Sequence, residues 1–200
     1  MSSEEIAALE QEIFQLGSRL RELRQAEAGT EVENYRFDTL EGSVNLKELF
    51  AGHDKLLAVH NMGQGCRYCT LWADGLNPFV PHLESAMAVV LLSKDDPATQ
   101  RRFANSRGWR FRTASHGGGD YIQEQTTVAG EGNMPGAVCY ELRDDKIYRK
   151  NACTFGPGDL YCSMWHVLGL AGLDTADWTP QYNYWRRPVQ MDDGGENLLE

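Results

Sequence analysis

The sequence has no hydrophobic run long enough to cross a bilayer: its longest apolar stretch, residues 86–92, falls far short of the roughly 20 residues a membrane helix needs. It also lacks the start of a secretory signal. Met1-Ser-Ser-Glu-Glu5 is acidic where such a signal is basic, and no apolar segment follows, so a cytoplasmic location is expected. Positive charge is in deficit, with 19 Lys and Arg against 29 Asp and Glu and a net charge of −10. Nucleic acid and anionic membrane surfaces are therefore excluded as partners, because a polyanion would be repelled over most of the surface. Cysteine is scarce as well. The five present are an odd number, so at least one stays unpaired within the chain, and there is only one Cys-x-x-Cys. In a reducing compartment that spacing points to redox or metal chemistry rather than to a structural staple.

The composition, 42% hydrophobic and 24% charged over 200 residues, is that of one globular domain with ends. We divide the chain into an N-terminal amphipathic helix over residues 1–28, a main domain over 30–175 and an aromatic, then acidic tail over 176–200. In the first segment Ile6, Leu9, Ile13, Leu16, Leu20 and Leu23 alternate spacings of three and four, which draws one narrow apolar seam on a helix. That seam has to be buried, either on the main domain or on the same helix of a second subunit in a homodimer.

Within the main domain, residues 35–37 and 43–44 flank Glu41-Gly42 as a short hairpin, and Asn45 with Glu48 forms a capping box before a brief helix. Residues 55–61 are a continuous apolar run, as in a strand buried on both faces. A helical stretch over 66–84 is broken by Gly75, Pro78 and Pro81. A second buried strand covers 86–93. Asp96-Pro97 then caps a helix that stops at Gly108, and Trp109, Phe111 and Thr113 alternate like a strand. Residues 115–133 hold five glycines and are expected to form a long loop. Strands over 137–142 and 147–153 form an antiparallel hairpin, and residues 155–159 cap a final helix with Leu160, Met164, Val167, Leu168 and Ala171 on one face. The tail aromatics Trp178, Tyr182, Tyr184 and Trp185 are expected to pack on the body. Strands alternating with helices imply a parallel sheet covered on both faces, to which the closing hairpin adds antiparallel edge strands.

The chemistry-bearing element is Cys66-Arg67-Tyr68-Cys69, placed where a buried strand gives way to a helix. Two residues between cysteines at a helix N-terminus bring the sulfurs close enough to close a small disulfide ring. The helix dipole, the unpaired N–H groups and Arg67 favour an anion at Cys66, so its thiolate is expected to form below the free value of roughly 8.5. Cys66 is the expected nucleophile and Cys69, one turn in and less exposed, the resolving thiol.

The strings Gly65-Cys-Arg-Tyr-Cys-Thr-Leu-Trp-Ala-Asp74, Pro81-His-Leu83, Val89-Val-Leu-Leu-Ser93, Gly108-Trp-Arg-Phe111 and Met134-Pro-Gly136 resemble a thioredoxin-like bacterial family labelled as predicted dithiol-disulfide oxidoreductases. The resemblance covers about residues 35–170. It implies a thioredoxin-like three-layer α/β/α sandwich with a mixed central sheet and an N-terminal helical extension. It also implies a protein or small-molecule thiol or disulfide as substrate and no cofactor. Thioredoxin folds carry a cis-proline before the closing hairpin, and Met134-Pro135 holds that place here; with Arg67, Tyr68 and Trp72 these two residues form the expected substrate groove. Cys153 is a possible third thiol, with an inert buried cysteine as the alternative. The segment Ser93-Lys-Asp-Asp-Pro97 resembles peroxiredoxins too, but His60-Asn-Met-Gly-Gln-Gly65 carries neither the proline nor the Thr or Ser that peroxiredoxins place ahead of their reactive cysteine.

Other readings compete with the redox one. In one, Cys66 and Cys69 join Cys162 and His166 in a zinc site; in another, the domain binds partners or senses oxidants without turnover. His60 either relays protons to Cys69 or is a hydrogen-bonded core residue, and Trp109 either walls the groove or packs inside. Gly117-Gly-Gly119 lacks the lysine and helix start of a phosphate cradle.

Overall fold

The computed structural model describes residues 3–184. Helix α1, Ser3–Ala26, precedes the body, and Gly29, at φ +82°, turns the chain into strand β1, Thr30–Val32. The hairpin of β2, Arg36–Thr39, and β3, Gly42–Asn45, follows. The capping box forms as expected: the Glu48 N–H donates to Asn45 Oδ1 at 3.0 Å and the Asn45 N–H donates to Glu48 Oε2 at 2.7 Å. The helix it opens is a single 3-10 turn, Glu48–Phe50, because Ala51 adopts a left-handed φ of +48° and reverses the chain.

The parallel part of the sheet is β4, Lys55–His60, then β5, Ala88–Ser93, then β6, Arg112–Ser115, each pairing parallel with the next. Between β4 and β5 run α2, Arg67–Leu76, and α3, Val80–Glu84, separated by a 3-10 turn that contains Pro78; Gly75 stays inside α2. Between β5 and β6 runs α4, Pro97–Arg107, opened by Asp96, whose Oδ1 accepts the Thr99 N–H at 3.0 Å, and closed by Gly108 at φ +67°. Trp109 and Phe111 lie before β6 and are both buried, so their alternation reported core packing rather than strand pairing.

Strands β7, Gly136–Arg143, and β8, Lys146–Thr154, form the closing hairpin, whose turn residues Asp144 and Asp145 both have positive φ, as a tight hairpin turn requires. Strand β7 pairs antiparallel with β4. Among the described residues eight strands lie in the order β1-β8-β7-β4-β5-β6-β2-β3, a mixed sheet. Strand β1, which the sequence pattern did not reveal, pairs antiparallel with β8 at one edge.

Alternation along β5 divides the core. Ala88, Val90 and Leu92 face Tyr35, Phe37, Leu46 and Phe50, while Val89 and Leu91 face Ala73 of α2, Val80 of α3, and Phe103 and Ala104 of α4. A last helix, α6, Ser163–Leu170, lies on the same side as α2, with Trp165 and Leu168 packed near Trp72 and Val59. The other face is covered by the 3-10 turn, the β2–β3 hairpin and a short helix α5, Asp120–Glu124, so the layers are unequal. Helix α5 lies within the stretch expected to be loop; buried Tyr121 and Ile122 pin it to the core in spite of the flanking glycines. The apolar residues of the last helix do not share one buried face either, since Leu160 and Val167 are exposed and the core contacts come from Trp165 and Leu168. Of the tail aromatics, Tyr182 is buried, Trp178 packs against Trp165, and Tyr184 is half exposed; Trp185 lies outside the described residues. Among the described residues no helix is long and apolar enough to cross a membrane.

Candidate active site

The strand β4 delivers the chain to a tight loop, residues 61–65, that positions the dithiol. The Asn61 N–H donates to Leu92 O at 2.8 Å and its side-chain Oδ1 accepts the Gly63 N–H at 2.8 Å. Asp95, just past the end of β5, accepts the Gln64 N–H at 2.8 Å, and the Tyr182 hydroxyl donates to Gln64 O at 3.1 Å. Gly63 is required here: its φ is +119°, and a Cβ would stand 2.8 Å from Asp95 Oδ1.

Cys66 is the N-cap of α2, and its Sγ accepts the Cys69 N–H at 3.1 Å. Cys66 and Cys69 are joined by a disulfide, with their Cα atoms 5.3 Å apart. Cys66 is half-buried and Cys69 fully buried, so the two cysteines differ in access as the spacing implied. The mouth above Cys66 is a cleft of about 580 Å³ edged by Met62, Arg67, Tyr68, Lys94, Asp95 and Asn133. Arg67 Nη1 is buried without a hydrogen-bond partner among the described residues. A donor left in that state costs free energy unless a bound group satisfies it.

Three expected groove residues are placed differently. Among the described residues there is no cis peptide, so the Met134–Pro135 bond is trans and the expected cis-proline is corrected. Trans is the preferred state of an X-Pro bond, and the chain order alone cannot reverse that preference. Pro135 is buried, its carbonyl accepting the Phe155 N–H at 3.0 Å, and neither it nor Met134 edges the cleft. Asn133 takes that place: at φ +59° it donates from Nδ2 to Met62 O at 3.4 Å. Trp72 is 2% exposed, stacks on Phe155 and donates from Nε1 to Asp159 Oδ2 at 2.8 Å, so it supports α2 from beneath instead of meeting substrate. Trp109 is likewise inside, donating to Asp74 Oδ1 at 2.7 Å.

The remaining candidates lie away from the cleft. Cys153 is half-buried on β8 and its thiol is pushed up by burial. Cys162 is buried at the start of α6, where burial again raises its pKa. Among the described residues no three His, Cys, Asp or Glu side chains come together as a metal site, so Cys162 and His166 do not complete a set with the dithiol. His60 sits on the far face of the sheet from α2, its Nε2 2.7 Å from the Tyr121 hydroxyl, and burial with the nearby charges of His116 and Arg149 pushes its pKa down to about 3. It belongs to a buried polar chain that runs through Tyr121, Tyr140 and Gln125 to Tyr35 and Glu124. Lys94, Asp95 and Asn133 were missed by sequence reasoning; only the strand-end position of Ser93-Lys-Asp95 carried a signal, since the loop beyond a parallel strand's C-terminal end faces the crevice where ligands bind.

A mixed sheet with a cysteine pair at the head of the helix after β4 defines a thioredoxin-like fold. Solved structures of the same fold include the peroxidoxin BcpB of Mycobacterium tuberculosis, with a TM-score of 0.52 and 15% identity over 72% of this chain and 94% of that one. The bacterioferritin comigratory protein of Xanthomonas campestris matches with a TM-score of 0.52 and 14% identity over 68% and 88%. A Plasmodium falciparum antioxidant protein, a 1-Cys peroxiredoxin, matches with a TM-score of 0.52 and 12% identity over 72% and 98%. At these identities the likeness is one of fold. In sequence, residues 2–190 match a family described as bacterial proteins of unknown function, DUF899, and the chain belongs to it. No curated protein matches the chain in sequence.

Proposed function

We propose that the protein is a thiol-disulfide oxidoreductase that works through Cys66 and Cys69. The observation that carries this reading is the sulfur pair itself: bonded, at a helix N-terminus, with Cys66 open to a cleft and Cys69 shielded. In the reduced state the Cys66 thiolate, supported by the Cys69 N–H, attacks one sulfur of a substrate disulfide. A Cys66–substrate mixed disulfide forms and the first substrate thiolate leaves. Cys69 then gives up its proton and attacks Cys66 Sγ, forming the intramolecular disulfide and expelling the second substrate thiolate. The two thiolates take up two protons. Two electrons pass to the substrate, and an external dithiol returns the pair to its reduced form.

The substrate class is a protein or small-molecule disulfide. Arg67, with its unpartnered Nη1, and Lys94 on the cleft edge favour one that carries a negative group beside the scissile bond. Reduction of insulin by dithiothreitol, followed with and without the protein, tests the activity. Acceleration that disappears in Cys66→Ser supports it; equal rates with wild type and no protein overturn it. Consumption of hydrogen peroxide without any effect on insulin would transfer the assignment to a thiol peroxidase.

A further inference from the structure

Helix α1 is 24 residues long, about 36 Å at 1.5 Å per residue, and none of its residues is buried. From Ser3 to Leu16 every position is exposed. Its C-terminal end is attached to the body, where Arg24 donates to the Tyr161 hydroxyl at 2.6 Å and Arg24 O accepts from Asn151 Nδ2 at 3.2 Å. The apolar seam is accordingly left open: Ile6, Leu9, Ile13, Leu16 and Leu23 are each more than half exposed, and only Leu20 is half-buried. An apolar stripe of this length in water calls for a partner.

The seam and its flanking charges specify that partner. With Ile6, Ile13 and Leu20 at the first apolar heptad position and Leu9, Leu16 and Leu23 at the second, an antiparallel copy of α1 fits in register. Ile6 then meets the partner's Leu23, Leu9 the partner's Leu20, and Ile13 the partner's Leu16, so every residue of the seam faces another. The charges along the seam are divided by half, with Glu5, Glu10 and Glu12 toward the N-terminus and Arg19 and Arg24 toward the C-terminus. Antiparallel pairing sets Glu12 against the partner's Arg19, twice by symmetry. Parallel pairing would set Arg19 against the partner's Arg24 and Glu5 against the partner's Glu10, like against like in both cases. Arg19 is exposed, while the half-buried Arg24 bonds Tyr161 of the body, so the Glu12–Arg19 track lies on the accessible side.

We propose that α1 is a dimerisation element that pairs antiparallel with α1 of a second copy of this chain. The paired helices would hold the two bodies at opposite ends, leaving each dithiol cleft open. This inference stands on α1 alone and does not depend on the activity proposed above.

Sedimentation equilibrium of the full chain tests it, with circular dichroism as a check on folding. The expected results are a dimer for the wild type and a folded monomer for the Leu9→Glu, Ile13→Glu variant. Arg19→Glu places like charges at both symmetric contacts and is expected to weaken the dimer roughly tenfold, while Glu12→Arg combined with Arg19→Glu restores it. A monomeric wild type, a dimer that survives Leu9→Glu with Ile13→Glu, or a dimer tightened by Arg19→Glu, as parallel pairing requires, would each overturn the proposal.

Discussion

Trp72 donates its indole N–H to Asp159 at 2.8 Å, tying the helix that carries the dithiol to the turn that opens α6. The same carboxylate accepts backbone N–H groups from Gly156 at 2.9 Å, Tyr161 at 2.7 Å and Cys162 at 3.0 Å. Asp159→Ala leaves these donors and a buried indole N–H without an acceptor, and the expected loss of stability is about 2–4 kcal/mol. Asp159→Asn, which keeps one acceptor oxygen, should cost less. Urea unfolding of both variants checks this, and equal midpoints for wild type and Asp159→Ala would refute the role assigned to the carboxylate.

Much of the frame around this contact was legible in the chain because it rests on local rules. Asn45 with Glu48, Asp96 with Pro97, and Gly108 all act within a few residues of themselves, and each cap forms as its pattern indicates. The dithiol at a strand-to-helix junction was legible for the same reason. What failed depends on distant contacts. Helix α5 exists because Tyr121 and Ile122 reach a core built from β2, β4 and β7, and no local pattern marks that. Trp72 belongs to the interior because Asp159, remote in sequence, supplies its acceptor. The entry of Asn133 into the cleft, where Met134 and Pro135 were expected, is likewise decided by the fold around it.

The loop before the dithiol leaves no room at Gly63. A methyl group there would meet the Asp95 carboxylate at 2.8 Å, at a φ of +119° that side chains rarely adopt. Gly63→Ala is expected to cost about 1–3 kcal/mol and to loosen the Asp95–Gln64 hydrogen bond that fixes the loop. Thermal unfolding measures the first effect. The rate of alkylation of reduced Cys66 measures the second, and an unchanged rate in a destabilised variant would separate loop stability from thiol presentation.

Acid should destabilise the fold through its buried histidines. Burial holds His60 at about 3 and His116 at about 4, against 6.5 in the unfolded chain. The unfolded state therefore binds more protons in this interval, so stability is full above about pH 6.5 and is lost as pH falls toward 4. Each fully responding histidine contributes a slope of up to about 1.4 kcal/mol per pH unit. Urea midpoints between pH 7 and pH 4 should fall for the wild type and fall less steeply for His60→Asn. Parallel curves would show that His60 is not a source of the acid sensitivity.

The order of attack at the two sulfurs can be read by trapping. Cys69→Ser permits the first attack and blocks resolution, so a Cys66–substrate mixed disulfide should accumulate and appear as an added mass under non-reducing conditions. Cys66→Ser should form no such adduct through Cys69, because Cys69 is 3% exposed beneath its neighbour. Both variants are expected to leave insulin reduction at the uncatalysed rate. An adduct on Cys69 in the Cys66→Ser protein would reverse the assignment of nucleophile and resolving thiol.

Arg67 supplies the test of substrate charge. Arg67 edges the cleft, its Nη1 is buried without an acceptor among the described residues, and a substrate carboxylate brought to the guanidinium would satisfy it. A hydrogen bond to a charged group contributes about 1.5–3 kcal/mol, which corresponds to roughly ten- to a hundredfold in kcat/KM. Arg67→Ala should therefore lower kcat/KM by that factor for oxidised glutathione, which carries carboxylates, and much less for hydroxyethyl disulfide, which carries none. Arg67 also follows Cys66 directly in the chain, so some loss common to both substrates is expected from a less favoured thiolate. The difference between the two substrates isolates recognition from activation: equal losses would leave Arg67 acting on the nucleophile alone.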